Sequence, residues 1–231
     1  MTVRGEGQEV LLLHGYKSNA NSFYYQINAL EKAGYKAIAP DFPGFGSSAE
    51  ITSAWSVGDY AKWLEKFVAA ARLNKPYIVA HSFGARVVFK YLSENPNGAK
   101  KLVITGGAGV VKPRSPRYMR QVRRYRRIKR LFPRFAEKHF GSSEYRTLSP
   151  IEKESYKLIV NEDLTDCARR VKIPTLLVYG RDDKTTPPDE EGRIFNGCIE
   201  GSALEIIDGG HFCFCENADK FNPLMLDFFG T

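Results

Sequence analysis

Residues 77–85 read Tyr-Ile-Val-Ala-His-Ser-Phe-Gly-Ala, a short apolar run that ends in His-Ser and continues into a helix-like pattern. A serine between a strand and a helix, with small residues two positions before it and two after it, has the layout of a nucleophile elbow. Here the small residues are Ala80 and Gly84, with alanine in place of the more usual first glycine. Bulky side chains at these positions would collide in so sharp a turn. Ser82 is therefore the candidate nucleophile.

The same pattern has a simpler explanation, because a serine before a glycine at a strand end is often an ordinary turn or a helix N-cap. Two further polar loops favour a catalytic role for Ser82, since a reactive serine needs a base beside it and an acid that orients the base. Asp182 and Asp183 follow a strand candidate at residues 175–179, and His211 lies in a glycine-rich loop just after residues 204–207. The chain thus offers a serine, an acid and a histidine in that order.

These motifs give the chain a resemblance to the α/β-hydrolase fold superfamily over nearly its whole length. His14-Gly15 follows the first strand candidate, as the oxyanion-loop motif does in that family, and residues 41–48 resemble the family's Asp-x-x-Gly-x-Gly-x-Ser loop. The elbow, the Gly-x-x-Asp motif that ends at Asp183, and Gly-Gly-His211 complete the set. Five motifs in the family's order, each at a strand end, are far less expected by chance than any one of them.

The resemblance implies a catalytic triad. Ser82 would attack an acyl carbonyl after His211 removes its proton, and Asp183 would hold His211 in the required tautomer and stabilise the imidazolium. Asp183 is preferred to Asp182 because the family motif places the acid three residues after a glycine, here Gly180. Asp182 remains the alternative if the loop register shifts by one residue.

The resemblance also implies an oxyanion hole, which needs preorganised donors where negative charge develops on the substrate oxygen. The backbone N–H groups of Tyr16 and Phe83 would supply it. His14 is interpreted as a buried residue that ties its loop down, and His81 as a packing residue that points away from the cleft. Asp41 is interpreted as part of a turn with local hydrogen bonds from backbone to side chain.

Strand and helix candidates alternate, which is the pattern of an α/β fold with a mostly parallel central sheet and helices on both faces. Strands are predicted at residues 10–13, 36–40, 77–80, 101–105, 175–179 and 204–207, and helices at 22–33, 57–73, 83–94 and 218–229. Family members often begin with two antiparallel strands, and only nine residues precede Val10, so that hairpin must be reduced or absent. We predict a hydrolase core at residues 1–109 and 171–231, with a small helical cap insertion at 110–170, between the sixth and seventh strands expected of the family.

The positive charge of the chain is concentrated in this predicted cap. Residues 112–134 carry eleven Lys or Arg and no Asp or Glu, and removing those eleven charges from the formal net charge of +8 would leave −3. Ser115-Pro116 resembles a helix N-cap with its first helical residue, and Pro133 is a stop signal. A helix between them would place apolar residues on one face at helical spacing: Tyr118, Val122, Tyr125, Ile128 and Phe132.

Three interpretations of this basic segment stay open. Its arginines would attract a carboxylate or phosphate on the substrate, or would dock on nucleic acid or on an anionic membrane surface. The third interpretation is a solvated face that pairs with acidic residues elsewhere, such as Glu152, Glu154, Glu162 and Asp163.

The remaining composition limits the class of protein. A length of 231 residues with 43% apolar residues predicts one globular domain with a substantial core. No run of about 18 apolar residues predicts a membrane span, and the first residues lack the apolar core of a secretory signal. Four cysteines without CxxC spacing then indicate reduced thiols and a cytoplasmic location. Cys213 and Cys215 are interpreted as small buried residues rather than metal ligands.

The resemblance implies a serine hydrolase without metal or cofactor that cleaves a carboxylic ester or thioester of a small to medium acyl compound, an anionic compound being one option. A serine at the elbow argues against family members that use aspartate there, such as dehalogenases and epoxide hydrolases. Acyl transferases and carbon–carbon bond hydrolases use the same nucleophile, so both stay open, as does a hydrolase-like protein that binds a ligand without turnover. No nucleic-acid partner is expected, and the sequence does not indicate an oligomeric state.

Overall fold

One seven-stranded sheet forms the centre of the protein. The structure is a computed structural model that describes residues 1–111, 116–132 and 147–230, apart from the side chains of residues 116–118, 126 and 129. The strands are β1 (Thr2–Arg4), β2 (Gln8–Leu13), β3 (Tyr35–Ala39), β4 (Tyr77–His81), β5 (Lys101–Thr105), β6 (Thr175–Gly180) and β7 (Ala203–Ile207). Their spatial order is β1-β3-β2-β4-β5-β6-β7. Strand β1 runs antiparallel to β3, and every other neighbouring pair is parallel.

Helices follow the strands in sequence. They are α1 (Tyr24–Lys32), α2 (Val57–Ala70), α3 (Phe83–Glu94), α4 (Pro116–Leu131), α5 (Pro150–Val160), α6 (Thr165–Ala168), α7 (Arg193–Cys198), α8 (Cys213–Glu216) and α9 (Ala218–Gly230). A 3₁₀ turn at Ala20–Phe23 leads into α1, and a π-helical turn at Pro188–Gly192 leads into α7. The predicted fold class is confirmed. The helix predicted at 83–94 has the predicted ends, and the other three predicted helices are present with ends shifted by one to three residues.

Alternate residues of the central strands feed two apolar cores, as the two-residue period of a strand requires. Leu11 and Leu13 of β2 pack on the face that α2 and α3 cover. Val10 and Leu12 of the same strand, with Val79 of β4, pack on the face that α1 and α9 cover. Both faces are apolar because a parallel sheet with helices on each side is buried on both.

The described chain has one short strand before β2, where the sequence predicts a reduced or absent hairpin. A single three-residue strand, β1, precedes β2 and pairs with β3 in a register that runs from Thr2 opposite Ala39 to Arg4 opposite Ala37. The predicted cap interval therefore falls between the fifth and sixth strands of this sheet.

Helix α4 lies within the basic segment. Five of its arginines are exposed, namely Arg120, Arg123, Arg124, Arg127 and Arg130, whereas Val122, Tyr125 and Ile128 are half-buried. Phe132 follows the helix and is 64% exposed. It is therefore not buried with the other apolar residues predicted for that helix face. Ser115, Pro133 and the side chain of Tyr118 lie outside the described residues.

Three of the four acidic residues proposed as partners of the basic segment have other contacts. Glu162 lies 3.7 Å from the Nζ of Lys90, and a carboxylate oxygen of Asp163 accepts the N–H of Val111 at 2.7 Å. Glu152 accepts the N–H of Ser149 and so caps α5. None of the helices in the described ranges is long and apolar enough to cross a membrane.

Candidate active site

Ser82 lies at the sharp turn between β4 and α3. Its backbone angles are φ 49° and ψ −104°, and a residue with a side chain adopts a positive φ only at a cost of about 1–3 kcal/mol. Strain of this kind persists only where the surrounding structure holds it, and the fully buried Ala80 precedes the turn. The turn therefore has the geometry that the sequence predicts for an elbow.

Gly84 allows the elbow to approach β2. A Cβ atom at this position would lie 2.3 Å from the carbonyl oxygen of Leu13, which a real side chain cannot do without moving α3 or β2. We expect Gly84→Ala to lower the free energy of unfolding by about 1–3 kcal/mol, measured by urea unfolding. Gly197→Ala in α7 is the control, because nothing lies within 4 Å of its added Cβ and alanine favours a helix by up to about 1 kcal/mol. Equal stability of the two variants would contradict this close approach.

Side chains from three loops meet beyond the carboxyl ends of β4, β6 and β7. The Nε2 of His211 lies 3.0 Å from the Oγ of Ser82, and the Nδ1 of His211 lies 2.8 Å from the Oδ2 of Asp183. Asp183 is buried and Asp182 is exposed. The structure thus brings Ser82, His211 and Asp183 into one hydrogen-bonded chain and leaves Asp182 outside it.

The carboxylate of Asp183 is held by its own loop. Its Oδ1 accepts the backbone N–H groups of Thr185 and Thr186, and its Oδ2 lies 2.8 Å from the Oγ1 of Thr186. Burial by itself would raise the pKa of Asp183, but the hydrogen bonds from His211 and Thr186 outweigh it and hold the pKa below its ordinary value. Thr186 was not predicted as part of the site, although Asp-x-x-Thr is the spacing of a turn closed by a side chain.

The loop after β2 lies against the elbow. A Cβ added to Gly15 would lie 3.6 Å from the Cβ of Ser82. Tyr16 and Phe83 both line the cavity above the serine, and among the described residues neither of their backbone N–H groups has a hydrogen-bond acceptor. The two predicted oxyanion donors therefore belong to residues that line the same cavity as Ser82, and no other described group uses either N–H.

His14 fixes the direction of one of these donors. Its Nε2 accepts the N–H of Phe42 at 3.0 Å, so its Nδ1 carries the proton and donates to the carbonyl of Gly15 at 2.7 Å. Burial lowers the pKa of His14, which keeps the ring neutral. Because the carbonyl and the N–H of a trans peptide point in opposite directions, a fixed Gly15 carbonyl also fixes the Tyr16 N–H. His14 is the loop tie that the sequence predicts.

Asp41 also ties loops together. Its Oδ1 accepts the N–H of Ala20 at 2.7 Å and its Oδ2 accepts the N–H of Ser47 at 2.9 Å. The turn interpretation is confirmed, and the bond to Ala20 extends it to the loop before α1.

His81 lies beneath His211. Its Nε2 is 3.0 Å from the carbonyl oxygen of His211, and its ring centroid lies 4.7 Å from that of Phe214 and 4.8 Å from that of His211. Burial, followed by the neighbouring His211, lowers the pKa of His81 to about 3. It is a buried packing residue, as predicted, but it also lines the cavity, so the prediction that it points away from the cleft is wrong.

The neutral state of His81 predicts acid sensitivity. Below its ordinary pKa of 6.5 the unfolded chain takes up a proton that the folded chain binds only near pH 3, so stability falls as pH drops from 6.5 towards 3. At pH 5 this group alone lowers the free energy of unfolding by about 2 kcal/mol relative to pH 8. His81→Gln retains a donor for the His211 carbonyl and does not titrate. We expect this variant to reduce the difference in unfolding free energy between pH 8 and pH 5 by about 2 kcal/mol in urea titrations. Equal differences in the wild type and the variant would refute the neutral state of His81 in the folded protein.

A cavity of about 540 Å³ opens above Ser82. Tyr16 and Tyr156 of α5 both line it, with ring centroids 5.3 Å apart. The ring of Tyr16 also lies 5.1 Å from that of Phe45 between centroids. Arg86 of α3 and Glu191 of the π-helical turn also line it, and both are buried. Neither of these two charged residues was predicted from the sequence to lie at the site.

Comparison with known proteins agrees with this fold. The α/β-hydrolase fold family matches residues 9–155. A putative non-heme chloroperoxidase from Synechocystis is 26% identical, with 97% of this chain and 92% of the relative aligned. A 2-hydroxy-6-oxononadienedioate/2-hydroxy-6-oxononatrienedioate hydrolase from Escherichia coli is 30% identical, with 97% and 88% aligned.

Solved structures give the same result. An esterase from Exiguobacterium antarcticum superposes with a TM-score of 0.80 at 23% identity, covering 100% of this chain and 94% of that one. A bromoperoxidase from Bacillus anthracis superposes with a TM-score of 0.81 at 22% identity, with the same coverage. The chain belongs to the α/β-hydrolase fold family.

Proposed function

We propose that this protein is a serine hydrolase that cleaves a carboxylic ester or thioester of a small to medium acyl compound. The observation that carries the proposal is the hydrogen-bonded chain from Asp183 through His211 to Ser82, which ends at a cavity beside two free backbone N–H groups. The esterase that shares the fold supports the same reaction class. Neither a metal nor a cofactor has a role in this proposal.

The proposed reaction has two steps. His211 Nε2 takes the hydroxyl proton of Ser82 while Oγ bonds to the acyl carbon, and the N–H groups of Tyr16 and Phe83 bind the resulting oxyanion. The carbonyl re-forms as the alcohol or thiol leaves with the proton from His211, which produces an acyl-enzyme. A water molecule then gives one proton to His211 and attacks the acyl carbon. The bond from the acyl carbon to Oγ breaks as His211 returns the proton to Oγ, which releases the acid and restores the Ser82 hydroxyl. Asp183 keeps its negative charge and orients His211 throughout.

A carbon–carbon bond hydrolase is the second candidate, because the Escherichia coli relative with 30% identity is named as a hydrolase of 2-hydroxy-6-oxononadienedioate, a compound whose name contains no ester. The same serine and histidine would serve it. Acyl transfer to an alcohol or a peroxide is a further alternative, and the relative named a chloroperoxidase is the reason to test it. Product analysis separates these three reactions. An ester alone tests ester hydrolysis, a vinylogous diketone tests carbon–carbon bond cleavage, and an ester with added peroxide tests acyl transfer.

We further propose that residues 110–170 form the cap of the hydrolase core at 1–109 and 171–231. Support comes from α5, which supplies Tyr156, Ile159 and Val160 to the cavity wall. The cytoplasm is the proposed location, and the absence of disulfides among the four cysteines, all of which lie in described ranges, supports it.

Labelling with a fluorophosphonate tests the proposed nucleophile. These reagents phosphonylate an activated serine, so intact mass analysis is expected to find one adduct on the wild type and none on Ser82→Ala. Labelling of both proteins to the same extent, or of neither, would reject Ser82 as the nucleophile.

A further inference from the structure

Arg86 is a buried charged residue inside the proposed active-site cavity. It lies four residues after Ser82 on α3, so the two positions are about one helical turn apart and share a face of the helix. Its exposed fraction is 8%, and it lines the cavity. Arginine is rarely buried unless its charge is paired, so its place in this wall requires a reason.

Part of that reason is structural. The Nη1 of Arg86 donates to the carbonyl oxygens of Ile159 and Glu162, at 2.9 Å and 3.1 Å. These carbonyls belong to the end of α5 and the turn after it, so Arg86 links α3 to the proposed cap. This role uses one of the three guanidinium nitrogens.

The other two nitrogens have no partner in the described part of the chain. A guanidinium has five N–H donors, and no described acceptor lies within hydrogen-bond range of Nε or Nη2 of Arg86. No described carboxylate lies within 4 Å of its nitrogens either. Nε and Nη2 form the planar edge that binds a carboxylate through two parallel hydrogen bonds.

The surrounding charges define what this edge can bind. Glu191 lines the same cavity, and its Oε2 accepts the N–H groups of Gly109 at 3.0 Å and Val110 at 3.4 Å. Lys17 is the third charged side chain that lines the cavity within the described ranges. Arg86, Glu191 and Lys17 together carry a net charge of +1, which suits one carboxylate better than a phosphate dianion.

We propose that Arg86 binds a carboxylate at the far end of the acyl group, so that the substrate is a half-ester or half-thioester of a short dicarboxylic acid. This inference rests on the proposed hydrolase function of the same site. A short acyl chain is favoured because the backbone positions of Ser82 and Arg86 are separated by only about 6 Å along the axis of α3. The buried arginine on α3, rather than the exposed arginines of α4, selects the anionic substrate.

Matched ester pairs test the proposal. Monomethyl succinate, glutarate and adipate are compared with methyl butyrate, pentanoate and hexanoate, which have the same chain lengths and no distal charge. We expect kcat/KM of the wild type to be at least about tenfold higher for one half-ester than for its neutral counterpart, since a charge-assisted pair in a cavity is worth that much. Arg86→Gln is expected to reduce this ratio at least tenfold, and Arg86→Lys to reduce it less.

Control variants separate the alternatives. Arg123→Gln and Arg127→Gln change exposed arginines of α4 and are expected to leave the ratio within twofold of the wild type, whereas Glu191→Gln is expected to raise it. An equal loss on both members of a pair in Arg86→Gln would mean that Arg86 only links α3 to α5. A loss of preference in the α4 variants would mean that the basic helix binds the anion. Either result overturns the proposal.

A measurement on the wild type covers the case in which Arg86→Gln does not fold. Glutarate is expected to slow fluorophosphonate labelling of Ser82 at concentrations where butyrate does not, and equal protection by both acids would contradict the arginine site. The two proposals also fail differently. Hydrolysis of neutral esters without a preference for half-esters rejects the carboxylate site alone, whereas no hydrolysis and no labelling rejects the hydrolase itself.

Discussion

Ser82→Ala is expected to lower kcat/KM for ester hydrolysis by about 10⁴-fold or more, because losing the nucleophile removes the covalent pathway and leaves only binding and oxyanion stabilisation. Folding should change little, since one hydroxyl is lost and the backbone at this position is strained with either residue. We expect the free energy of unfolding to stay within about 1 kcal/mol of the wild type. Initial rates over a substrate range and urea unfolding provide the two measurements.

A matched variant guards against a general effect of losing a serine. Ser93 lies on α3, the helix that follows Ser82, where its hydroxyl donates to the carbonyl of Lys90. Ser93→Ala is expected to keep kcat/KM within twofold of the wild type. If Ser82→Ala retained a rate within tenfold of the wild type, Ser82 would not be the nucleophile.

Asp183→Asn is the second variant with a large expected effect, a loss of about 10⁴-fold in kcat. The carboxylate accepts the Nδ1–H of His211 at 2.8 Å, and this bond leaves Nε2 unprotonated and able to take the proton of Ser82. An asparagine amide in the same place can donate to Nδ1, which favours the opposite tautomer with its proton on Nε2. That tautomer cannot act as the base.

Asp182→Asn is the natural control, because it makes the same chemical change one residue earlier on an exposed side chain. We expect its kcat to stay within about threefold of the wild type. The measurement is kcat at saturating substrate for both variants. A larger loss in Asp182→Asn than in Asp183→Asn would move the acid by one residue and would contradict the hydrogen bond to His211.

Much of this fold can be predicted because parallel strands buried on both faces appear in the sequence as short apolar runs. Residues 77–85 are the clearest case, since the apolar run of β4 stops at the elbow and the helical pattern of α3 starts in the next residue. The same logic places Asp183 and His211, because polar loops that follow β6 and β7 must lie at one edge of the sheet. Their catalytic roles remain predictions that the variants above test.

The buried charges could not be predicted, because what identifies them is contact across long sequence distances. Arg86 reads as an ordinary polar position in α3, and only the carbonyls of Ile159 and Glu162 place it in the cavity. Glu191 lies in a π-helical turn that no sequence pattern predicted. The segment with eleven basic residues favoured α4 instead, and the five arginines of α4 whose side chains the structure describes are exposed.

The most direct test of the hydrolase proposal is to trap the acyl-enzyme. Wild type and Ser82→Ala are mixed with a chromogenic ester, quenched in acid within the first turnover, and digested for peptide mass mapping. The account predicts that the peptide containing Ser82 gains the mass of the acyl group, that the modified fraction matches the initial burst of released alcohol, and that Ser82→Ala shows neither. An acyl group that forms and turns over on a different residue, or the same burst in Ser82→Ala, would contradict it.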